Sequence, residues 1–317
     1  MKFTEKSIVI VGDSMLDRYI RGTATRLSPE APVPVVKLSP ASESLHLGGA
    51  GNVAANICAL GGNPILISVL GQDQDAIDFE RTLQSADIHT YGLVHTDDRK
   101  TTVKTRIIAN GHQIARVDAE NTDPVTGDSR QRLIRNIRKA ASSAAAIVIS
   151  DYAKGVVTID LMEAIGTIAW EFNLPVFVDP KVAHKDFYRF GYITAMTPNM
   201  DEAHGLAGIS SRSVEQVGLA ILDTYGHNYA LITRGEYGMT LHESLPGKMY
   251  DCQFIVSVAK QVFDVSGAGD TVIAALALAY ASGYDMQGAA RIANRAAGVV
   301  VGKPGTAVAT LNEILEQ

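Results

Sequence analysis

Short β-branched runs alternate with longer amphipathic segments along most of this 317-residue chain. The run Ile8–Val11, closed by Gly12, favours a buried central strand because it is apolar on both faces. Similar runs predict strands at Ser7–Gly12, Ile65–Leu70, Ala146–Ser150, Val176–Asp179, Ile193–Thr197 and Ala230–Thr233. The intervening segments predict helices at Ala50–Leu60, Asp73–Ala86, Asp128–Ser142, Ile159–Phe172, Met200–Ala207, Val214–Tyr225, Ala268–Ser282 and Met286–Gly302. This alternation predicts an α/β fold, a three-layer sandwich with a mostly parallel central sheet and helices on both faces.

Two segments depart from the alternation. Arg18–Leu47 contains four prolines and no helical pattern, so it predicts a small β excursion from the main body. Thr101–Asp118 predicts a hairpin with Asn110-Gly111 at its turn. We therefore expect a small β lid, formed by segments about 18–47 and 91–118, on a single domain spanning 1–317. No linker, repeat or low-complexity tract divides the chain.

Composition excludes several classes of protein. The net charge is −6, and 28 Lys and Arg stand against 34 Asp and Glu. A nucleic-acid partner is not expected, because such binders need a basic surface. Cys58 and Cys252 lie in apolar runs without metal-ligand spacing, which indicates buried thiols in a reducing compartment. Because no apolar stretch reaches about 18 residues, we expect no membrane partner and a cytoplasmic location.

A glycine-rich turn near the C-terminus gives the strongest chemical indication. Gly267, Ala268 and Gly269 open a long apolar helix, and Asp270 follows them. Free amides at a helix start attract phosphate oxygens. A carboxylate would repel a bare phosphate, so we interpret Asp270 as a base that takes a proton from a hydroxyl attacking that phosphate. The alternative is a loop whose Asp stabilises the first helical turn.

A second glycine-rich turn, Gly48-Gly49-Ala50-Gly51, opens the helix predicted from Ala50. Its match to the dinucleotide fingerprint is weak, because proline-rich β material separates it from the first strand. We favour a substrate platform, on which the glycines admit a polyol and Asn52 or Asn56 binds its hydroxyls. Close packing of helix on sheet is the alternative.

The sequence contains neither a Walker P-loop nor the protein-kinase motif set, so a kinase must depend on the later turn. Gly48-Gly49 leading to Asn52, together with Asp264-x-x-Gly267-Ala268-Gly269-Asp270, resembles the ribokinase/PfkB family of sugar kinases. The resemblance spans nearly the whole chain and implies the ribokinase-like fold. Further segments resemble one branch, the D-glycero-β-D-manno-heptose-7-phosphate kinases, which are often fused to an adenylyltransferase. Those segments are Gly12–Tyr19, Ser28–Val35, Ser150–Gly155 and Gly298–Lys303.

The resemblance implies ATP and Mg²⁺ as cofactors and allows a monovalent cation such as K⁺. The resemblance also implies that Asp270 is the catalytic base and that Gly267, Ala268 and Gly269 form the anion hole. The expected sugar-binding residues are Asp13, Asp17, Gly48, Gly49, Asn52 and Asp151. The expected nucleotide-binding residues are Asn199, Glu202, Thr233, Arg234, Gly235, Gly238, Asp264, Asn294 and Gly298. Asn199 and Glu202 are also expected to hold Mg²⁺, through water and the ATP phosphates.

Several basic residues would explain a phosphorylated sugar substrate. Charge-assisted hydrogen bonds from such residues favour a dianionic phosphate. The candidates are Lys104, Arg106 and Arg116 on the hairpin, and Lys154 and Lys181 at strand ends. Lys154 and Arg106 are the first choices, and a solvated surface cation is the alternative for each.

The branch resemblance implies ATP-dependent phosphorylation of heptose 7-phosphate at C1. Ser266 stands where Thr is usual, Gly51 where Ala is usual, and His46-Leu47 where Arg-Pro is common. A kinase for another sugar or sugar phosphate therefore stays open. An NAD(P)-dependent oxidoreductase using Gly49–Ala54 and a silent sugar-binding regulator are more distant alternatives.

Two features of the larger assembly follow from the same resemblance. No His-x-Gly-His nucleotidyltransferase motif occurs, so a stand-alone kinase and the kinase half of a longer protein both stay open. Lid strands in the family often pair between subunits, and an exposed β edge invites such pairing. We therefore expect a homodimer formed through the lid.

Overall fold

The computed structural model describes residues 3, 6–190, 192–210, 213–247 and 249–316. Within these ranges the strands are β1 (Ser7–Gly12), β2 (Ser14–Leu27), β3 (Pro34–Gly49), β4 (Asn63–Ile67), β5 (Val69–Gly71), β6 (Val94–Thr96), β7 (Val103–Ala109), β8 (His112–Ala119), β9 (Ala146–Ser150), β10 (Val176–Asp179), β11 (Ile193–Met196), β12 (Tyr229–Thr233), β13 (Met239–Leu245) and β14 (Met249–Ile255). The α-helices are α1 (Ala50–Ala59), α2 (Gln74–Ser85), α3 (Gly127–Ala141), α4 (Ile159–Phe172), α5 (Met200–Ala207), α6 (Val214–Tyr225), α7 (Ala268–Ala281), α8 (Met286–Val300) and α9 (Leu311–Leu315). Short 3₁₀ helices span Val182–Tyr188 and Gly235–Tyr237. None of the helices in the described ranges has the length and the apolar run needed to cross a bilayer.

An eight-stranded sheet in the order β14-β13-β12-β11-β10-β9-β1-β4 forms the middle layer. Its pairings from β4 to β12 are parallel, and β13 and β14 add an antiparallel edge. On β1, Ile8 and Ile10 face a core with α1, α7 and α8, whereas Val9 and Val11 face a second core with α3, α4 and α6. Each face of the sheet is thus covered by helices, which explains the apolar runs. The predicted three-layer α/β fold is confirmed.

One departure from the predicted strands occurs at Ser68, and the unpredicted strands β13 and β14 are another. The predicted strand Ile65–Leu70 is divided there into β4 and β5, and β5 pairs with β6 in a separate two-stranded sheet. The Ser68 hydroxyl donates to the Gly12 carbonyl at 2.7 Å and accepts from the Ser14 amide at 3.2 Å. These side-chain hydrogen bonds to the backbone of the neighbouring strand take the place of the usual backbone-to-backbone hydrogen bonds of a sheet. The strand therefore leaves the sheet at this point.

A second sheet, in the order β3-β2-β7-β8, lies outside the three layers, and we call it the lid sheet. Strand β2 pairs antiparallel with β3 and parallel with β7. The predicted hairpin is present, since β7 and β8 are antiparallel and Asn110-Gly111 joins them. The early part of the segment 91–118 differs from its expected place, because β6 pairs with β5 rather than with the lid sheet.

Candidate active site

A large cleft opens at the carboxyl ends of the parallel strands, where ligands of such sheets bind. It has a volume of about 1050 Å³ and adjoins a smaller cavity of about 380 Å³. Both are lined by Thr233, Gly235, Val265 and Gly269. The Gly267–Asp270 turn thus lies where the two spaces meet.

The backbone of this turn suits an anion. Gly267 precedes α7 with φ of 77°, and a Cβ there would lie 2.5 Å from Asn52 Nδ2, so glycine is strongly favoured at this position. Among the described residues, the amides of Gly267 and Gly269 have no hydrogen-bond acceptor, whereas the Ala268 amide donates to the Val265 carbonyl at 3.2 Å. Two of the three amides predicted to form the anion hole are therefore free to donate, and the third closes the turn.

The side chain of Asp270 is buried, with 2% of the residue exposed, and both carboxylate oxygens accept a hydrogen bond. The Asn52 amide donates to Oδ2 and the Tyr152 hydroxyl to Oδ1, each at 2.8 Å. Burial raises the pKa of Asp270 to about 7, against the opposing effect of these two donors. A carboxyl with a pKa near neutrality is suited to take up and release a proton.

A second acid lies close to this carboxylate. Asp179, at the end of β10, lines the large cleft, and a Cβ on Gly269 would lie 3.9 Å from its Oδ2. Burial, followed by the charge of Asp270, raises the pKa of Asp179 well above its usual range. Two carboxyl groups buried this close together are stable only if a proton or a bound cation compensates their charge. Phosphoryl-transfer sites have the same requirement.

The earlier glycine turn packs tightly between the lid sheet and α1. A Cβ on Gly48 would lie 2.7 Å from Asp17 Oδ2, and one on Gly49, where φ is 56°, would overlap the Asp13 carbonyl. The Ala50 amide donates to that carbonyl at 3.0 Å. The turn follows an antiparallel lid strand and its first helical amide is already bonded, so it is not a dinucleotide site.

Asp13 and Asp151, both predicted to bind substrate, instead organise the loop after β9. The Asp13 carboxylate accepts backbone amides of Tyr152, Lys154 and Val156 at 2.9 to 3.0 Å. Asp151 accepts hydrogen bonds from the Tyr188 hydroxyl and bonds His184 Nδ1. The Asp13 carboxylate thus fixes the backbone of Tyr152, whose hydroxyl donates to Asp270.

The predicted phosphate-binding cations are all paired with carboxylates. Each of the five lies within 4 Å of an acid: Lys104 with Asp118 and Glu120, Arg106 with Asp17, Arg116 with Asp118, Lys154 with Glu120, and Lys181 with Glu202. Arg106 also stacks 5.1 Å from the centre of the Tyr19 ring. Arg106 and Asp17 lie in the lid sheet on adjacent strands β7 and β2, and Asp17 is near enough to Asp270 to raise its pKa. Arg106 is therefore paired with an acid that lies near the candidate base.

Asn199 and Glu202 form a capping box at the start of α5. Asn199 Oδ1 accepts the Glu202 amide at 2.9 Å, and the Glu202 carboxylate accepts the Asn199 amide at 3.1 Å. Both line the large cleft. No cluster of three or more metal-ligating side chains occurs among the described residues. One carboxylate and one amide oxygen fit Mg²⁺, since that ion keeps several waters and uses phosphate oxygens as ligands.

The smaller cavity suits a flat apolar ring with a polar edge. Its walls include Gly238, Met239, Val272, Asn294 and Gly298. The Asn294 amide donates to the Val256 carbonyl at 2.8 Å, which fixes its side chain at the wall. The predicted nucleotide residues Thr233, Gly235, Gly238, Asn294 and Gly298 are thus brought together.

The two remaining predicted nucleotide residues have other partners. The Arg234 guanidinium lies over the rings of Tyr237 and Phe254, at 5.7 and 5.4 Å, on the wall of the large cleft. Asp264 accepts the amides of Ser266 and Gly305 at 2.9 and 3.0 Å. Asp264 therefore ties the anion-hole turn to the loop after α8.

Sequence reasoning missed Tyr152 and Thr271. Tyr152 lies inside the segment Ser150–Gly155 and Thr271 directly follows Asp270, so the signal was adjacency to residues already identified. Asn56 was considered a binder of sugar hydroxyls, but it is fully buried and bonded to Asn52 and Thr271.

Comparisons of the whole chain with known proteins agree with this geometry. The family model described as pfkB family carbohydrate kinase matches residues 5–313. The bifunctional protein HldE of Trichlorobacter lovleyi is 39% identical over 310 residues, which cover 97% of this chain and 62% of that protein. The bifunctional protein HldE of Mesorhizobium japonicum is 40% identical over 316 residues, covering 99% of this chain and 62% of that protein. The chain thus spans less than two thirds of the length of these relatives.

Solved structures share the fold at low sequence identity. Arabidopsis thaliana ribokinase in complex with ribose and ATP superposes with a TM-score of 0.74 at 19% identity, covering 99% of this chain and 98% of that one. Phosphofructokinase-2 from Escherichia coli in complex with potassium has a TM-score of 0.79 at 18% identity, with the same two coverages. Both indicate a ribokinase-like fold.

Proposed function

This chain belongs to the pfkB family of carbohydrate kinases, and we propose that it transfers the γ-phosphoryl group of ATP to the C1 hydroxyl of D-glycero-β-D-manno-heptose 7-phosphate. The product is heptose 1,7-bisphosphate, a precursor for ADP-heptose and lipopolysaccharide core synthesis. The observation that carries the proposal is a buried carboxylate with a pKa of about 7 beside free amides at the start of α7.

The residues of the turn divide the chemistry between them. Ionised Asp270 takes the proton of the acceptor hydroxyl as its oxygen attacks the γ-phosphorus in line. The new O–P bond forms while the bond from phosphorus to the ADP oxygen breaks, and that oxygen leaves with the electron pair. The amides of Gly267 and Gly269 stabilise charge on the transferred group.

The hydrogen bonds to Asp270 leave room for the acceptor. An ionised carboxylate has about four lone-pair sites, and Asn52 and Tyr152 use one on each oxygen. The fixed donors hold the carboxylate in one orientation, so the acceptor hydroxyl meets a preorganised base.

Nucleotide and metal sites extend from the same turn. The smaller cavity would hold the adenine ring, with Asn294 and Gly298 on its wall. Asn199 and Glu202 would hold Mg²⁺, which when bound offsets the charge of the nucleotide phosphates. The Asp264 carboxylate would hold the anion-hole loop in place, and a bound monovalent cation would stabilise the same loop.

The heptose assignment draws on the two relatives named bifunctional protein HldE, about 40% identical to this chain. The sugar phosphate would be bound by Arg106 and Lys154, whose side chains are 16% and 17% exposed. Each now pairs with a carboxylate, and a dianionic phosphate competes for the same donors. Asp17 would then be free to accept sugar hydroxyls.

A second copy of the chain is proposed to complete the lid. The edge strands of the lid sheet are β3 and β8, and Leu38, Ile114 and Val117 on them are exposed. Apolar side chains beside an open strand edge favour pairing. We expect Val117→Glu to convert a dimer to a monomer in light scattering. The same proposal treats residues 1–317 as one kinase domain that acts in the cytoplasm.

The decisive experiment compares phosphorylated and unphosphorylated sugars as acceptors. Purified protein, ATP and Mg²⁺ are incubated with synthetic heptose 7-phosphate, heptose, ribose or fructose 6-phosphate, and the products are identified by mass spectrometry. We expect kcat/KM to be highest for heptose 7-phosphate, with the new phosphate on C1. A preference for an unphosphorylated sugar would overturn the substrate assignment, and Asp270→Asn is the control for contaminating kinases.

A further inference from the structure

A chain of buried polar side chains links the two helices that meet behind the candidate base. Asn52 and Asn56 are one turn apart on α1, and Asp270 and Thr271 begin α7. Asn56 and Thr271 have no exposed surface, and neither lines the large or the small cavity. Buried polar groups of this kind cost free energy unless each is hydrogen-bonded, so their partners are informative.

The partners fix the direction of every hydrogen bond in the chain. Asn56 Nδ2 lies 2.9 Å from the backbone carbonyl of Asn52, which can only accept, so the NH₂ group of Asn56 must point there. The same NH₂ group donates to Asn52 Oδ1 at 3.2 Å. Asn52 therefore directs its own NH₂ group at Asp270 Oδ2, 2.8 Å away.

Thr271 lies at the other end of this chain of hydrogen-bonded side chains. Its hydroxyl lies 3.0 Å from Asn56 Oδ1 and 3.1 Å from the Gly267 carbonyl, both of which are acceptors. The hydroxyl therefore shares its single proton between these two acceptors, and it connects the chain of side chains to the anion-hole turn. The order of donation is Thr271 to Asn56 to Asn52 to Asp270.

We propose that Asn56 and Thr271 are positioning residues that lock the Asn52 amide as a donor to Asp270 and so keep this carboxylate ready to ionise. The inference rests on the proposed function, because it concerns how Asp270 serves as the base. Neither residue touches the reacting atoms. They act only through Asn52.

The lock works against the protonated form of Asp270. A proton on Oδ2 needs an acceptor beside it, and an amide held by Asn56 cannot turn its oxygen there, so the proton is confined to Oδ1 beside the Tyr152 hydroxyl. Without Asn56 the Asn52 amide can rotate, accept from the protonated acid and stabilise it. The groups facing Asp270 from the other packed elements are Asp17 of β2, Tyr152 after β9 and Asp179 of β10.

The first test is the pH profile of kcat for Asn56→Leu, which keeps the branched shape but removes the amide. We expect the acidic limb to move up by about one pH unit, the size of one hydrogen bond to a carboxylate. Activity at pH 6 should fall about tenfold while activity near pH 9 stays close to that of the wild type, because an ionised Asp270 orients Asn52 by itself. The substrate phosphate also titrates in this range, but it does so equally with the wild type and the variant, so it does not change the difference between their pH profiles.

A second set of variants covers the case in which Asn56→Leu fails to fold. Thr271→Val should shift the limb in the same direction, and Thr271→Ser, which keeps the hydroxyl, should restore the wild-type profile. Thr240→Val is the matched control, since Thr240 is also fully buried but its hydroxyl has no hydrogen-bond partner among the described residues. It should leave the profile unchanged.

The outcomes separate this inference from the proposed function. If the wild type phosphorylates the sugar and Thr271→Val lowers kcat equally at all pH values, Thr271 is only structural and the inference is wrong. Failure of Thr271→Ser to restore the profile would also overturn it. If the wild type transfers no phosphoryl group to any sugar, the proposed function itself fails.

Discussion

Two buried helices, α1 and α7, begin on glycine-rich turns that use their backbone amides differently. Before α1, the Ala50 amide donates to the Asp13 carbonyl, and Gly49 lies against that same oxygen. Before α7, the amides of Gly267 and Gly269 have no acceptor within the described ranges. The first turn docks a helix on the sheet, and the second keeps donors for a ligand. The difference depends on whether a backbone oxygen from elsewhere in the fold reaches the turn.

The largest effect should come from Asp270→Asn, which removes the base and keeps the turn. We expect kcat to fall by about 10²- to 10⁴-fold, the usual contribution of a general base, with little change in ATP binding. In the wild type, the pKa of about 7 means that kcat rises with pH through neutrality, since only the ionised carboxylate accepts the proton. Near-normal kcat in the variant would show that the turn before α7 is not catalytic and so does not differ in function from the turn before α1.

The same variant should make the protein more stable. The pKa of Asp270 is raised from 3.8 to about 7, so the folded state holds a proton that the unfolded state releases. Folding stability is therefore lost as pH rises from about 3.8 to about 7 and is constant above that range. Asp270→Asn should gain on the order of 2–4 kcal/mol at pH 8 and about a third of that at pH 5.

Thermal or urea unfolding at both pH values measures this gain. Asp128→Asn is the control, because the Asp128 side chain is 75% exposed at the start of α3. An equal gain at pH 5 and pH 8 would contradict a buried carboxylate with a raised pKa.

Alanine in each turn should separate their roles. At Gly49 a Cβ would overlap backbone at Asp13, so Gly49→Ala should cost about 1 to 3 kcal/mol of stability. At Gly267, where φ is 77°, alanine is also strained, but its closest contact is the Asn52 side chain rather than backbone, so Gly267→Ala should lose less stability and lower kcat about tenfold through a displaced base. Melting temperature and kcat measured on both variants check the contrast, which would fail if both lost stability equally.

The smallest effect on stability is expected for Gly269→Ala. A Cβ there has no atom closer than Asp179 Oδ2 at 3.9 Å, and the residue is helical, so stability should change by no more than about 1 kcal/mol. Close approach of a phosphoryl group would make even a methyl group costly, so KM for ATP or kcat should worsen severalfold. Unchanged kinetics would place the transferred group away from this amide.

Many helices and strands of the three-layer fold can be predicted from local sequence patterns. Helices α4, α5 and α6 and strands β1, β9 and β10 begin and end where the apolar periodicity predicts. The division at Ser68 was not predictable, because it depends on a hydrogen bond to Gly12, 56 positions away. The antiparallel strands β13 and β14 were also missed, since polar residues interrupt the apolar pattern of both and most of β14 is exposed.

The candidate base was identifiable from its turn, but its surroundings were not. Tyr152 and Asn52 were not expected as its hydrogen-bond donors, and the cations chosen for a sugar phosphate proved to be paired with carboxylates. A basic residue in a list of sequence positions carries no information on which acid will face it.

The sequence by itself determined most of the helices and of the parallel strands, the two glycine turns and the carboxylate at the start of α7. These depend on periodicity, backbone freedom and helix-end chemistry, which act over a few residues. Only the tertiary structure decided that Asn52 and Asp270, 218 positions apart, would share a hydrogen bond, and that one turn would keep its amides free. Burial and pairing arise from the packing of distant segments, and these set both the pKa of the acid and the direction of each donor.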